Sequence, residues 1–171
     1  MDFVTRDAFE AGLDYFENIS LMKYNNLAAW ITILYQFWEQ QVRLFLYKEI
    51  KQCYEIDFKE FCAKGIKEIK EVFKLHNVDI ETLSSWSKIN ELRLLCNTVK
   101  HGDGGSAQDL RTIAPDFFQH ISLPDSDILD LYKTTLNDEV LNIHDDLISL
   151  YGDNLGNFWD ELPERMYSEE M

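Results

Sequence analysis

At 171 residues the chain is long enough for one domain with a sizeable core and too short for two full ones. Its 31 acidic residues against 16 Lys and Arg give a formal net charge of -15, which argues against non-specific binding to nucleic acid or to an anionic membrane but leaves a basic protein partner open. A composition that is 46% hydrophobic and 13% aromatic is typical of a globular protein.

The first helical pattern lies near the N-terminus. Phe9, Leu13 and Phe16 recur at intervals of three and four residues and predict a short amphipathic helix over residues 5–16. Residues 18–20 are expected to end it. The N-terminal stretch carries acids and lacks a continuous apolar run, so no export signal is predicted and a cytoplasmic location is expected.

The longest predicted helix spans residues 21–54, a stretch that contains neither Gly nor Pro. Ile33, Phe37 and Leu44 widen its apolar stripe, so this helix is expected to be central and to pack on more than one side. Polar residues between 39 and 43 interrupt the apolar run before the ~20 residues that a membrane span needs, so no membrane association is predicted. The main predicted core residues of the helix are Leu27, Trp30, Ile31, Leu34, Trp38, Val42 and Phe45.

A third helix is predicted over residues 57–75, with apolar residues inward and a Lys/Glu-rich side that faces solvent. Residues 76–78 are expected to end this helix. Asp79 is then expected to cap a short helical turn over residues 79–86, because its carboxylate can accept a hydrogen bond from a free backbone N–H group of the first turn.

The next helix is predicted within residues 88–105 and is expected to end just after His101, where three glycines follow at 102, 104 and 105. Because these glycines follow a helix instead of opening one, they are interpreted as a C-cap and turn, not as a phosphate-binding loop. The buried stripe of this helix is predicted to contain Ile89, Leu92, Leu95, Cys96 and Val99.

The C-terminal part of the chain carries shorter patterns. Ser106 is expected to cap a helix that ends before Pro115. The remaining expectations are irregular or extended chain over 116–126, a strand or a helix start at 128–132, an amphipathic helix over 136–150, and a short helical turn with a frayed tail over 151–171, the acidic tail lying at 155–171. Together the elements predict a single all-α domain, a helical bundle with a long central helix.

The sequence contains none of the common signatures of nucleotide binding, zinc proteolysis, serine hydrolysis or calcium binding. Cys53, Cys62 and Cys96 are widely spaced without a CxxC pair and are interpreted as reduced thiols of a cytosolic protein. The four histidines are scattered and show no zinc-ligand spacing. No metal and no cofactor is therefore predicted.

The polar side of the 88–105 helix contains the candidate site. At about 100° per residue, Asn90, Arg93, Asn97 and His101 lie together on the side opposite Leu92. Leu94 lies among them, and an apolar residue in such a face favours contact with a partner surface. The chain is therefore expected to form a homodimer through this face.

These residue types suit RNA cleavage by the RNA's own 2'-hydroxyl, a reaction that needs no metal. His101 would act as general acid or base, Arg93 would hold phosphate oxygens, and Asn97 would orient the histidine or the substrate. Eight residues separate Arg93 from His101, about 12 Å along a helix axis. Two antiparallel copies would bring Arg93 of one chain near His101 of the other.

A simpler interpretation needs no catalysis. Arg93 and Asn97 would then be solvated, and His101 would be a favourable cation at a helix C-terminus. Glu39 can pair with Arg93, but a pair with Arg43, four residues along its own helix, is the preferred expectation.

Three stretches together resemble the bacterial HEPN superfamily: FWEQQVR in the long helix, NELRLLCNTVKHGDG in the next, and LRTIAPDFF after it. The resemblance covers roughly residues 20–120. It implies an all-α bundle, homodimerisation and, in many members, metal-independent endoribonuclease activity in toxin or anti-phage defence systems. Asn97 and His101 match the family's motif, whereas Cys96 stands where the family's Arg would be and Arg93 lies one residue beyond the family's spacing.

Two other functions remain open at this stage. Catalytically inactive HEPN domains imply a binding or dimerisation module, here an acidic adaptor or antitoxin-like protein whose charge of -15 meets a basic partner. The aromatic core also allows a pocket for a small molecule, and hence a sensor. RNA is the expected substrate only under the ribonuclease interpretation.

Overall fold

The computed structural model describes residues 3–52, 54–63, 65–120 and 123–163. Over these residues the fold is all-α, as predicted, with one short two-stranded hairpin. The elements in chain order are α1 (Phe3–Ile50), α2 (Phe58–Cys62), α3 (Ile66–Leu75), a 3₁₀ turn (Ile80–Thr82), α4 (Trp86–His101), α5 (Gly105–Ile113), a second 3₁₀ turn (Pro115–Phe118), β1 (Gln119–His120), β2 (Leu123–Asp127), α6 (Ile128–Tyr132) and α7 (Asp146–Glu161).

The chain divides into two compact units, each with its own buried residues. The first unit comprises the residues up to Thr32 together with Leu94–Leu147. The second unit comprises Ile33–Arg93 together with the residues from Ile148 onward. Helices α1 and α4 each contribute residues to both units. That residues 1–171 act as a single domain stays a prediction.

Helix α1 is continuous, so the predicted break at residues 18–20 is wrong. Asn18 remains in the helix because its Nδ2 donates a hydrogen bond to the Asp14 carbonyl one turn back, at 2.8 Å. A polar side chain that finds such a partner along its own helix does not have to end it. The two predicted N-terminal helices are therefore one.

The buried stripe of α1 is shifted from the predicted one. Ile31, Trp38 and Val42 are buried as expected, whereas Trp30 is 62% exposed, so its assignment to the core is wrong. Ile33 and Phe37 are exposed as well, so they do not widen the buried stripe. The helix instead buries smaller and polar-tipped residues at the same spacing, and the full set is Tyr24, Ala28, Ile31, Tyr35, Trp38, Val42, Leu46 and Ile50.

The first unit is closed by hydrogen bonds from an irregular segment to its helices. Thr135 Oγ1 donates to the Val99 carbonyl of α4 at 2.6 Å, and Asn142 N–H donates to the Phe117 carbonyl at 2.7 Å. The amphipathic helix predicted over 136–150 is therefore wrong, because residues up to 145 use their backbone groups outside a helix. Strands β1 and β2 pair antiparallel with an irregular register beside this segment.

The last helix, α7, begins ten residues later than predicted and belongs to the second unit from Ile148 onward. Its inward residues are aromatic: Phe158 lies edge-on to Trp38 with ring centroids 5.1 Å apart, and to Phe73 at 6.1 Å. This packing keeps residues 151–161 in one helix, where only a short helical turn followed by a frayed tail was expected. The end of the expected tail, residues 164–171, lies outside the described residues.

The predicted 57–75 helix is interrupted and forms α2 and α3. Asp57 caps α2 by accepting the Glu60 N–H, and Gly65 is the N-cap of α3. Asp79 caps the following 3₁₀ turn as predicted, accepting the Glu81 N–H at 3.0 Å. All three of these N-terminal boundaries thus have a short polar residue or a Gly as the cap.

Helix α4 begins beside the end of α7 in the second unit. Its N-terminus is satisfied by Glu161, whose carboxylate accepts from the Ser85 N–H and from the hydroxyls of Ser84 and Ser85. These hydrogen bonds, that of Ser84 first, lower the pKa of Glu161. One turn further, buried Glu91 accepts from Tyr151 Oη at 3.0 Å and pairs with Lys88.

Candidate functional site

The polar side of α4 carries the three residues proposed for catalysis, and Arg93 is the first of them. Its side chain is half-buried, and its Nε and Nη2 both donate to Asn90 Oδ1, at 3.1 and 2.9 Å. Asn90 lies three residues earlier, on the same face. The guanidinium therefore has one edge occupied by its own helix and would have to release Asn90 before that edge could hold a phosphate.

Asn97 and His101 lie one turn apart in the part of α4 that belongs to the first unit. Asn97 is half-buried and His101 is exposed at the last residue of the helix. Neither side chain makes a hydrogen bond or an ion pair with a residue that the structure describes. Because α4 is continuous, the two side chains lie on one face of the helix, as predicted.

Leu94 does not lie in an exposed face, so this part of the prediction is wrong. It is only 2% exposed, and Leu92, Leu95 and Cys96 around it are also buried. Helix α4 is thus covered on more than one side, which leaves only a narrow polar strip. Leu94 consequently offers no apolar contact to a second copy through this face.

The side chain of Glu39 is bound within its own helix, as the preferred expectation has it. Arg43 Nη2 lies 3.2 Å from Glu39 Oε1, and Arg43 Nη1 also donates to the Cys62 carbonyl at 3.1 Å. Both ionic side chains are about four-fifths buried. Glu39 is therefore a partner of Arg43 and no part of a site with Arg93.

The glycine-rich turn after α4 is tightly packed. Gly102 has φ +70°, in the left-handed region, and its N–H donates to the Thr98 carbonyl at 2.8 Å. A Cβ at this position would overlap the Lys133 carbonyl oxygen. The predicted C-cap is confirmed at Gly102. The expectation that the glycines open no helix is wrong, because Gly104 is the N-cap of α5 and Gly105 is its first residue, and the predicted cap at Ser106 is wrong for the same reason.

Asp103 is the centre of an ion-pair cluster that sequence reasoning missed. Its carboxylate binds Arg111 Nη1 at 2.6 Å and Lys133 Nζ at 2.8 Å, and Arg111 Nε also binds Asp127 at 2.6 Å. The Lys133 ammonium, and after it the Arg111 guanidinium, holds the pKa of Asp103 below its ordinary value. Arg111 lies over the Phe118 ring at 4.5 Å, which completes the packing of its cation.

No signal in the sequence identified this cluster, because its four members lie at irregular intervals along the chain and meet only through the tertiary fold. The cluster gives the residues directly after α4 a structural role: Gly102 makes the turn and Asp103 anchors it.

A run of exposed apolar residues of the first unit lies near the N-terminus, in a segment called here the arm, residues 6–22 of α1. Every residue of the arm up to Ile19 is exposed, and no arm side chain makes a hydrogen bond or ion pair with another described element. The exposed large apolar side chains of the arm are Phe9, Leu13, Tyr15, Phe16, Ile19 and Met22.

The arm is strongly two-sided. At about 100° per residue, Phe9, Leu13, Phe16 and Ile19 fall on one side, which is called here the apolar face of the arm. Most of the acidic side chains fall on the opposite side, and Arg6 pairs there with Glu10 at 2.9 Å. The acids on that side are Asp7, Glu10 and Asp14, whereas Glu17 lies at the edge of the apolar face, next to Leu13.

Gly12 lies within the apolar face of the arm, between Phe9 and Phe16. A Cβ added there would have no heavy atom within 4 Å, so nothing else in the described chain requires a glycine. The apolar surface continues past Met22 into a shallow groove of about 430 Å³ that ends at exposed Trp30.

The described residues contain no group of three or more His, Cys, Asp or Glu side chains that could hold a metal ion. Among those same residues, no helix combines the length and the apolar character that crossing a bilayer requires.

Comparison with protein-family models, with curated proteins and with solved structures finds no match to this chain. The similarity to the HEPN superfamily therefore stays a prediction.

Proposed function

We propose that this chain is a non-catalytic interaction module that self-associates through the apolar face of the arm, in the manner expected of an inactive HEPN-like dimerisation module. The observation that carries the proposal is the arm itself: residues 6–22 present a one-sided apolar surface without a partner among the residues that the structure describes. Contiguous exposed apolar surface of this kind marks interaction sites in soluble proteins.

The arm continues the packed part of α1 but leaves most of its own apolar face in water. A helix of about this length is marginal in water without tertiary packing, because its stability in proteins comes mostly from burial of its apolar face. Phe9 is 63% and Phe16 is 68% exposed. Covering a fully exposed Phe side chain contributes about 1.5–3 kcal/mol, so several such residues buried by a second helix would stabilise the arm.

Gly12 favours a second helix as the covering element. A glycine inside a helix costs about 1 kcal/mol relative to alanine, and at Gly12 no close contact with a described residue offsets that cost. Two helix backbones can approach closely where one face presents a glycine flanked by large side chains. A second copy crossing at Gly12 would place Phe9 and Phe16 on either side of the crossing point, which gives a self-complementary interface.

The distribution of charge is compatible with a second copy despite the net charge of -15. Asp7, Glu10 and Asp14 lie on the side away from the apolar face, so they would remain in water when two arms pair. The same outward acids would be available to a basic protein partner. The adaptor role proposed for the acidic surface therefore does not compete with self-association.

The proposal is tested by sedimentation equilibrium on the full chain and on a Phe9→Ser/Phe16→Ser double variant. We expect the wild type to be a dimer and the variant to be a monomer with an unchanged circular dichroism spectrum. Leu131→Ser is the matched control, because Leu131 is 75% exposed outside the arm, and it should leave the dimer intact. A monomeric wild type, or a dimer that the double variant does not weaken, would contradict the proposal.

A second candidate, the metal-independent endoribonuclease, is favoured by one observation: His101 is exposed, has no described partner and lies one turn from Asn97. In that function His101 would be the general acid or base and Asn97 would orient it or the substrate. Arg93 would come from a second copy and would have to exchange Asn90 for phosphate oxygens.

This candidate is tested by incubating total RNA with the protein in EDTA. Cleavage that falls by about 10²–10⁴ in His101→Ala, as expected for loss of a general acid or base, and that persists in Lys100→Ala would support the ribonuclease. Lys100 is the control because it is an exposed neighbour on the same helix. Absence of cleavage, or equal cleavage by all three proteins, would leave the interaction module as the function.

A further inference from the structure

The second unit contains a cavity of about 600 Å³ that neither function uses. It lies where the end of α1, the short α2 and the helix α3 meet. This volume falls in the range of small-molecule sites, which is about 300–1,000 Å³. It therefore suits a compact organic ligand better than a folded partner.

The floor of the cavity is apolar. Phe61 and Ile69 are buried, Val72 is half-buried, and Leu75 lies at the exposed mouth. Such a floor removes the body of a ligand from water, which supplies most of the binding free energy of a small apolar molecule.

The rim of the cavity is acidic. Five carboxylate residues line it, and no Lys or Arg does so among the described residues. Asp57 and Glu68 are used as helix caps, whereas Glu60 makes no ion pair with a described residue and Glu71 has only a 4.0 Å contact with exposed Lys67. A ligand that enters therefore meets negative charge without a competing cation of the cavity wall.

His76 adds a ring nitrogen that accepts a hydrogen bond when the imidazole proton is on Nε2. Its Nδ1 is buried and has no hydrogen-bond partner in the described chain, and the residue lines the same cavity. A buried nitrogen without a partner is unfavourable, and a ligand N–H group would satisfy it. An ammonium group meets both requirements at once, because it carries positive charge and donates hydrogen bonds.

We propose that this cavity binds an organic ammonium ion with an apolar body, a primary or secondary amine whose nitrogen lies at the Glu60 and His76 side. The apolar body would pack on Phe61, Ile69 and Val72. The complementarity of charge between an acidic rim and a cation, over an apolar floor, selects this class against neutral alcohols and carboxylates of the same shape.

The test uses three compounds of nearly equal shape: 4-phenylbutylamine, 4-phenylbutanol and 4-phenylbutyrate. Isothermal titration calorimetry on the full chain in buffered physiological salt should show the amine binding at least about tenfold more tightly than the alcohol, and no binding of the carboxylate. Equal binding of the amine and the alcohol, or no binding of the amine, would overturn the proposal.

Two variants locate the binding. Glu60→Gln should weaken binding of the amine about three- to tenfold and leave binding of the alcohol unchanged, whereas Val72→Phe should block both by filling the floor. Asp153→Asn is the control for general attraction of a cation to an acidic protein, because Asp153 is exposed on α7 and away from the cavity lining. Equal loss of affinity in Glu60→Gln and Asp153→Asn would place the amine outside the cavity.

Discussion

The arm of α1 and the turn after α4 belong to the same unit but differ in how many contacts their residues make within the chain. In the arm, large apolar side chains such as Phe9 and Phe16 are exposed. In the turn, Gly102 fits against a backbone carbonyl and Asp103 binds two cations. The polar motif with catalytic residue types therefore adjoins a tightly packed turn. The amphipathic arm near the N-terminus instead carries an apolar surface that no described residue covers.

The two regions also differ in the reason for their glycines. A glycine can be required by contacts within the chain, as at Gly102, or can have no such reason, as at Gly12. Only a glycine of the second kind favours a partner outside the chain. Substitutions at the two positions should consequently affect different measurements.

The largest effect is expected at Gly102. Gly102→Ala should lower the free energy of unfolding by about 3 kcal/mol, because the left-handed backbone strains any L side chain and the new Cβ overlaps the Lys133 carbonyl. Urea unfolding followed by circular dichroism measures it. Gly105→Ala is the matched control, because a Cβ there meets open space at the start of α5 and should be neutral or stabilising. Equal destabilisation by both substitutions would contradict the claim that the turn requires a glycine at position 102.

Asp103→Asn should have the next largest effect, a loss of about 2 kcal/mol in the free energy of unfolding at neutral pH. The cause is the loss of charge-assisted hydrogen bonds to Arg111 and Lys133. Asp109→Asn provides a control, because Asp109 is exposed on α5 and makes no described ion pair. A loss in the control as large as in the variant would indicate a general effect of charge.

The same cluster predicts a pH dependence. The folded-state pKa of Asp103 lies below its unfolded value of about 3.9, so its contribution is present above that pH and is lost as the pH falls through the folded-state pKa. The difference in stability between the wild type and Asp103→Asn should therefore shrink below about pH 4. A difference that stays constant through acid titration would contradict the ion-pair account.

Gly12→Ala should have the smallest effect and should affect the two measurements in opposite directions. We expect the arm to gain up to about 1 kcal/mol of helix stability, because alanine is the better helix former. Self-association should weaken severalfold, because the added methyl group separates the two backbones. Sedimentation equilibrium and thermal unfolding at low concentration measure the two effects, and tighter association would exclude a close crossing at Gly12.

Local chemistry explains which features could be predicted from the sequence. The cap at Asp79, the end of α4 at His101 and the turn at Gly102 follow from short-range rules, and the structure confirms them. The pair between Glu39 and Arg43 follows from the spacing of one helical turn. Each of these requires only residues that are neighbours along the chain.

The wrong predictions depend on what covers a helix, which periodicity does not contain. Trp30 is exposed while Ala28 is buried, because the side of α1 that is covered was not the most hydrophobic one. Leu94 is buried because α4 is enclosed on more than one side. The cluster around Asp103 unites residues up to thirty positions apart and follows from the tertiary fold alone.

The most direct test of the central claim is a cysteine cross-link between arms. Gly12→Cys should form a disulfide-linked dimer rapidly under mild oxidation, because Gly12 lies at the proposed crossing point of the two helices. Asp14→Cys is the control, since two residues along a helix place its side chain on nearly the opposite side, and the unsubstituted protein measures cross-linking by the native cysteines. A dimer from Gly12→Cys well above both controls is the result that self-association through the arm predicts. Equal cross-linking at residues 12 and 14, or none at either, would contradict it.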